Sequence, residues 1–219
     1  IRINDENKAV IKDVEYKRVK NKSIKNPFHP RIYNRGFIGQ GKLKSEVNGK
    51  ATKHYYVWRG MFERCYDKNY QMQKRTYIGC SVSILWYNFQ KFGEWFEENY
   101  KEGFVLDKDI LIKGNKIYSP ETCCFVPAEI NIIFTSRKQC RGVYPIGVAF
   151  NKSKQKFEAS LSVNGKGTYL GTYNTPEEAF QAYKTAKENY IKEVADKWKD
   201  QIDPKVYQAM YNYKVEITD

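Results

Sequence analysis

Lys and Arg dominate the side chains able to do chemistry in this chain: 38 of them stand against 25 Asp and Glu, for a formal net charge of +13. The excess is clustered. Residues 1–56 carry 14 basic and 5 acidic side chains, and 137–169 carry 7 and 1. Residues 57–136 balance at 10 each, and 170–219 run to 7 basic and 9 acidic. Clustered positive charge attracts polyphosphate and steers it to the surface. Nucleic acid is the partner this distribution favours. Binding to a membrane surface would call for a basic amphipathic helix, and none is read in the sequence.

Other chemistries have weaker signatures. Cys65, Cys80, Cys123 and Cys124 would make a zinc site only if the fold gathered them, because their spacing lacks paired knuckles. Five cysteines without a C-x-x-C pair fit buried free thiols in a reducing cytosol better than a disulfide scaffold. Gly39-Gln40-Gly41 is too short for a phosphate loop, and no Lys-Ser/Thr follows it. These glycines, with Gly36 and Gly49, are expected in hairpin turns.

The elements that must position these residues belong to a chain of 219 residues, one large domain or two small ones. Apolar residues at 41% and aromatics at 16% suffice for a core, which excludes wholesale disorder. No run approaches the roughly 18 apolar residues of a membrane helix. The opening Ile1–Asp5 shows no signal-peptide pattern, so a cytoplasmic location is expected.

Residues 1–50 read as a basic, β- or loop-rich region, with a turn or extended segment at Asn26-Pro27-Phe28-His29-Pro30. A helix is expected over 55–66, with Trp58, Met61, Phe62 and Cys65 at helical spacing. Residues 67–75 read as loop and Tyr77–Val82 as a short strand. Leu85, Phe89, Phe92 and Phe96 advance by 4, 3 and 4, the stripe of a core helix. Over 104–134 the expected order is strand (Phe104–Leu111), turn, strand (Tyr118–Pro127) and a helix from Ala128, with Pro127 at its first position.

After a linker at 137–141, three strands are expected: Tyr144–Phe150, Lys156–Val163 and Thr168–Tyr173. Asn164-Gly165 supplies a strong hairpin signal. Thr175-Pro176-Glu177-Glu178 opens a helix with a capping box. Its apolar face is Ala179, Tyr183, Ala186, Tyr190, Val194 and Trp198. A short helix is expected from Pro204, with Val206, Met210 and Tyr213 on one face.

Gly147-Val148-Ala149-Phe150, Lys156–Ala159, Asn164-Gly165-Lys166, Tyr169-Leu170-Gly171-Thr172-Tyr173 and Thr175–Ala179 through Ala182-Tyr183 together resemble the AP2 DNA-binding domain. The likeness covers about 142–190. It implies a three-stranded sheet packed on one helix, with the sheet's free face in the major groove. Strand alternation then turns Phe157, Ala159 and Leu161 toward the helix and Lys156, Glu158, Ser160 and Ser162 outward. Asn151, Lys152, Lys154, Lys166, Thr168 and Arg141 border the outward face. Lys meets phosphate as a point charge, whereas Asn and Arg can read base edges. Family members often carry several Arg and Trp on this sheet; here Lys and Ser replace them.

Trp58, Met61, Arg64-Cys65-Tyr66, Gly79–Val82, Trp86, Phe89 and Phe92, followed by Leu106–Asp109 and Tyr118–Cys123, resemble phage-type HNH endonucleases that carry an AP2 domain after the nuclease. That resemblance implies a ββα module. Lys108 stands where the family has its histidine base, Thr122 where it has asparagine, and Asn131 where the helix supplies a ligand. His29 and His54 lie outside the hairpin. Asp107, Asp109 and Asn131 would hold Mg²⁺ or another divalent metal. Lys108, with Asp107, would take a catalytic role. On a regular strand Asp107 and Asp109 share one face and Lys108 takes the other.

The expected architecture is α+β: a basic region at 1–50, an HNH-like module at 51–136, an AP2-like domain at 141–199 and a helical extension at 200–219. The expected function is double-stranded DNA binding by a phage or prophage protein with a degenerate nuclease module. The alternative is a metal-dependent nicking or homing-type endonuclease. A remoter one is a protein that binds and blocks another protein.

Overall fold

The computed structural model describes residues 3–4, 10–11, 26–135 and 143–219. The chain is mixed α+β, with six helices and several small sheets among those residues. It divides into two compact units: Ile1–Glu102 with Gly114–Cys123, and Gly103–Lys113 with Cys124–Asp219. The stretch 51–136 is therefore shared between both units, with its ββα hairpin counted in the second. Arg141 and the expected linker at 137–141 lie outside the described residues.

In the first unit, strands β1 (Ile3–Asn4) and β2 (Val10–Ile11) pair antiparallel, as do β3 (Glu46–Val47) and β4 (Lys50–Ala51). Helix α1 spans Lys53–Tyr66, capped by the Thr52 hydroxyl. A further helix, α2 (Lys68–Gln73), occupies most of the expected loop at 67–75, because Asp67 accepts from the Tyr70 N–H and caps it. Tyr77–Val82 is strand only at β5 (Ser81–Val82). Helix α3 spans Phe89–Asn99 and starts at the Asn88 cap. The turn before it, Ile84–Tyr87, is 3₁₀, which breaks the expected stripe. Phe89, Phe92 and Phe96 are buried, but Leu85 is 51% exposed.

The core of this unit is aromatic. The ring of Trp58 lies 4.9 Å from Phe62 and 5.5 Å from Phe89, and its Nε1 donates to the Trp86 carbonyl at 2.7 Å. The segment before α1 is tied to α3 by Gln90. Its amide accepts from the Leu43 N–H and donates to the Leu43 and Ile38 carbonyls. Gly41 serves this docking rather than a hairpin turn, whereas Gly36 closes a tight antiparallel turn from Ile32, as expected, and also lies against Trp58. A Cβ on Gly36 would stand 2.9 Å from Trp58, and one on Gly41 2.1 Å from the Gln90 oxygen. Asn48-Gly49 does form the expected tight turn, between β3 and β4, with both φ positive. Strand β7 (Ile117–Tyr118) pairs parallel with β5.

In the second unit, β6 (Phe104–Asp107) pairs antiparallel with β8 (Cys124–Pro127), and helix α4 (Ala128–Phe134) follows. Pro127 takes the cap position, one residue earlier than expected. Strands β9 (Val148–Asn151), β10 (Lys156–Val163) and β11 (Lys166–Tyr173) form an antiparallel sheet in the order β11-β10-β9. The first of these strands starts at Val148, not Tyr144.

Helix α5 (Pro176–Trp198) opens with the expected capping box, and α6 (Pro204–Tyr211) follows. At 23 residues α5 is about 34 Å long, enough to serve two partners. Its first half buries Phe180 and Tyr183 with Leu161 of the sheet and Val215 of the tail. Its second half buries Ile191, Val194 and Ala195 with Val126 and Ile130 of the ββα hairpin and Val206 and Met210 of α6. One helix thus underpins both the three-stranded sheet and the hairpin.

Candidate nucleic-acid interface

The three-stranded sheet has one covered and one open face. Ala159 and Leu161 are buried toward α5, and Lys156, Ser160 and Ser162 are exposed on the other side. Cross-strand partners share a face. Glu158 pairs with Ala149 and Thr172, and Ser160 with Tyr169, so these line the open face too. The register slips between Ala159 and Ser160. The slip leaves Leu170 without a partner on β10, and Gly171 beside it takes φ +138. That bulge puts Tyr169 and Thr172, three residues apart, on the same face, where their hydroxyls hydrogen-bond. Neither follows from the sequence, since strict alternation cannot reveal a bulge.

A carboxylate sits on the open face. Glu158 accepts from Asn151 Nδ2 at 2.8 Å and Lys154 Nζ at 2.9 Å. The Lys154 hydrogen bond, then that of Asn151, holds the Glu158 carboxyl below the usual carboxylate range, and Glu158 pushes Lys154 up. Asn151 also accepts from the Ser153 and Lys154 N–H groups through Oδ1. Both ends of its amide are thus engaged, in holding the β9–β10 turn and in pairing with Glu158. Lys152 is exposed on the β9–β10 turn and Lys156 at the start of β10. Lys166, also exposed, opens β11 and pairs with Val163, so by register it falls on the helix side rather than bordering the open face. Thr168 pairs with Leu161 and so belongs by register to the helix side, although it is exposed.

The ββα hairpin differs from a regular strand at the residues that matter. Strand β6 ends at Asp107, whose Oδ1 accepts from the N–H groups of Asp109 and Ile110, both at 2.8 Å. The chain turns there, so the expected alternation of 107, 108 and 109 does not apply. Lys108 is buried, and its Nζ contacts Asp109 Oδ1 at 2.6 Å. Burial, then the charge of Asp109, pushes the Asp107 carboxyl up. Asn131 lies on α4, where its carbonyl accepts from the Thr135 hydroxyl. Thr122, in the first unit, donates to the Ile117 carbonyl and hydrogen-bonds Ser119.

Metal-ligand chemistry needs carboxylates turned together toward the ion. Here one Asp107 oxygen caps two backbone N–H groups and an ammonium sits on Asp109. No group of three His, Cys, Asp or Glu gathers as metal ligands among the described residues. Cys65, Cys80, Cys123 and Cys124 are all buried. His54 lies on α1, 3.5 Å from Glu97 of the same unit. No helix among the described residues is long and apolar enough to cross a membrane.

Comparison with protein-family models, curated proteins and solved structures gives no match for this chain.

Proposed function

We propose that this protein binds double-stranded DNA through the open face of the β9–β11 sheet, as an AP2-like reader laid in the major groove. The supporting observation is that face itself: α5 covers one side, and the other presents Lys156, Ser160 and Ser162 of β10 with Tyr169 and Thr172 of β11. A twisted antiparallel ribbon of this kind fits the major groove. Lys152 and Lys156 are the phosphate contacts, and Ser160, Ser162, Tyr169 and Thr172 face the base edges. The ββα hairpin serves as an HNH-like scaffold that shares α5 with the sheet. The net charge of +13 supplies the long-range attraction.

Binding on this reading needs no metal, and the engaged Asp107 and Asp109 side chains agree with that. The test is a gel with supercoiled plasmid in Mg²⁺, Mn²⁺ or EDTA. A mobility shift in every lane with intact DNA is expected, with affinity falling steeply with salt. Nicks or breaks only in the metal lanes, lost in Asp107→Ala and in Asp109→Asn, would establish endonuclease activity instead. No shift and no cut would end the DNA reading and turn attention to protein partners.

A further inference from the structure

Among the described residues, the first unit holds a buried cation with no anionic partner. Arg64, near the end of α1, has its Nη1 fully buried and without a hydrogen-bond partner. Its guanidinium stands 6.0 Å from the ring of Tyr77, which packs 5.8 Å from Tyr70. Tyr118 lies beside it, its phenol pushed well above the usual range by burial and therefore neutral. Buried charges are ordinarily paired. Among the described residues, no Asp or Glu forms an ion pair with Arg64, Lys74, Arg75 or Lys116.

The surface over Arg64 is basic as well. Lys116 Nζ donates to the Thr76 carbonyl at 2.8 Å, which brings β7 against the 3₁₀ turn Arg75–Tyr77. Lys74, Arg75 and Lys116 are exposed there. The nearby carboxylate, Asp67, is engaged with the Tyr70 N–H and the Tyr33 hydroxyl. The corner is pre-shaped: Gln71 Nε2 donates to the carbonyls of Arg64, Cys65 and Tyr77, binding the end of α1, α2 and the 3₁₀ turn together.

We propose that this corner is a second nucleic-acid site that takes a backbone phosphodiester. Lys74, Arg75 and Lys116 make the contacts, and Arg64 supplies a fixed positive charge beneath them. The buried charge loses its solvation when the chain folds, and an anion docked above it restores part of that loss. The proposal rests on the DNA-binding reading but places a contact in the unit without the sheet, in a stretch whose overall charge is zero.

The test compares two triple variants of the full chain in EDTA, by anisotropy of a labelled duplex at several salt concentrations. One is Lys74→Gln with Arg75→Gln and Lys116→Gln. The other, on the sheet, is Lys152→Gln with Lys154→Gln and Lys156→Gln. Removing one side chain that neutralises a phosphate should lower the slope of log affinity against log salt by about 0.9, so the corner variant should drop by roughly 2 to 3. Because all three side chains are exposed, the variant should fold, with the wild-type circular dichroism and melting temperature as the check. A slope and affinity equal to wild type would overturn the corner, while weakened binding in the sheet variant alone would leave the proposed function standing. Weakened binding in the corner variant alone would keep the corner and overturn the sheet. Absence of binding by the wild-type chain would remove both.

Discussion

The two compact units bury their chains in different ways. The first packs Trp58, Phe62, Trp86, Phe89, Phe92 and Phe96 around irregular segments, and fastens those segments with single side chains such as Gln90. The second relies on regular ladders and on α5, whose two halves serve two sets of strands. An aromatic core fixes its neighbours through shape and specific N–H donors. A sheet against one helix fixes its neighbours through backbone pairing and leaves a whole face uncovered. The uncovered face of that sheet is why the proposed groove-reading surface falls on the second unit.

The sharpest way to break this comparison is at the cores. Trp58→Ala should cost about 3–5 kcal/mol, since it removes a fully buried ring and the hydrogen bond to the Trp86 carbonyl. Leu161→Ala, in the sheet unit, should cost about 2–4 kcal/mol, because a smaller side chain leaves a smaller cavity. Urea unfolding of both variants checks the order. A larger loss for Leu161→Ala would mean that the sheet, not the aromatic cluster, carries the more demanding packing.

Legibility in the sequence follows the same divide. Periodicity and turn chemistry act over a few residues, so Asn164-Gly165, the Thr175 capping box, the β10 alternation and the Trp58–Cys65 face are all readable. The first unit depends on contacts across the chain. Nothing near Gly41 in the sequence announces that the Gln90 amide lies against it, and nothing local says that Leu85 leaves the stripe of Phe89 and Phe92. The candidate site divides likewise. The outward positions of Ser160 and Ser162 follow from alternation, whereas Tyr169 and Thr172 depend on a bulge. Asp107 ends its strand by capping two N–H groups, a role that spacing alone does not distinguish from metal binding.

Helix caps sharpen the contrast at a smaller scale. Thr175 accepts from the Glu178 N–H and is part of a local box, so Thr175→Ala should cost about 1 kcal/mol. Thr52 caps α1 but also donates to the Lys44 carbonyl at 2.9 Å, tying down the segment before the helix. Thr52→Ala should therefore cost more than Thr175→Ala, and equal losses by thermal melting would argue that the tie contributes nothing.

On the open face, Glu158 holds Lys154, and under the proposed function its charge would oppose the phosphates of bound DNA. Glu158→Gln removes that negative charge and releases the ammonium. Affinity for duplex DNA at low salt should rise roughly two- to fivefold, the range of one exposed ion pair. Anisotropy reads this directly. A fall in affinity on every sequence would mean that Glu158 positions Asn151 and Lys154 for binding rather than restraining them.

The smallest effect concerns the hairpin's attachment to α5. Glu129 of α4 accepts from Lys197 Nζ at 2.6 Å and Trp198 Nε1 at 2.8 Å, and these hold its carboxyl below the usual range. A depressed folded-state pKa gives stability that is fully present above the unfolded value, near 4.5, and is lost as pH falls through the folded one. Lys197 is well exposed, so solvent screening keeps the gain below about 1 kcal/mol. Glu129→Gln keeps an acceptor for Trp198 but loses the charge. Melting temperatures of wild type and variant should differ modestly at pH 7 and converge toward pH 3. A gap that persists at low pH would show that α4 is held to α5 by the shape of the side chain rather than by its charge.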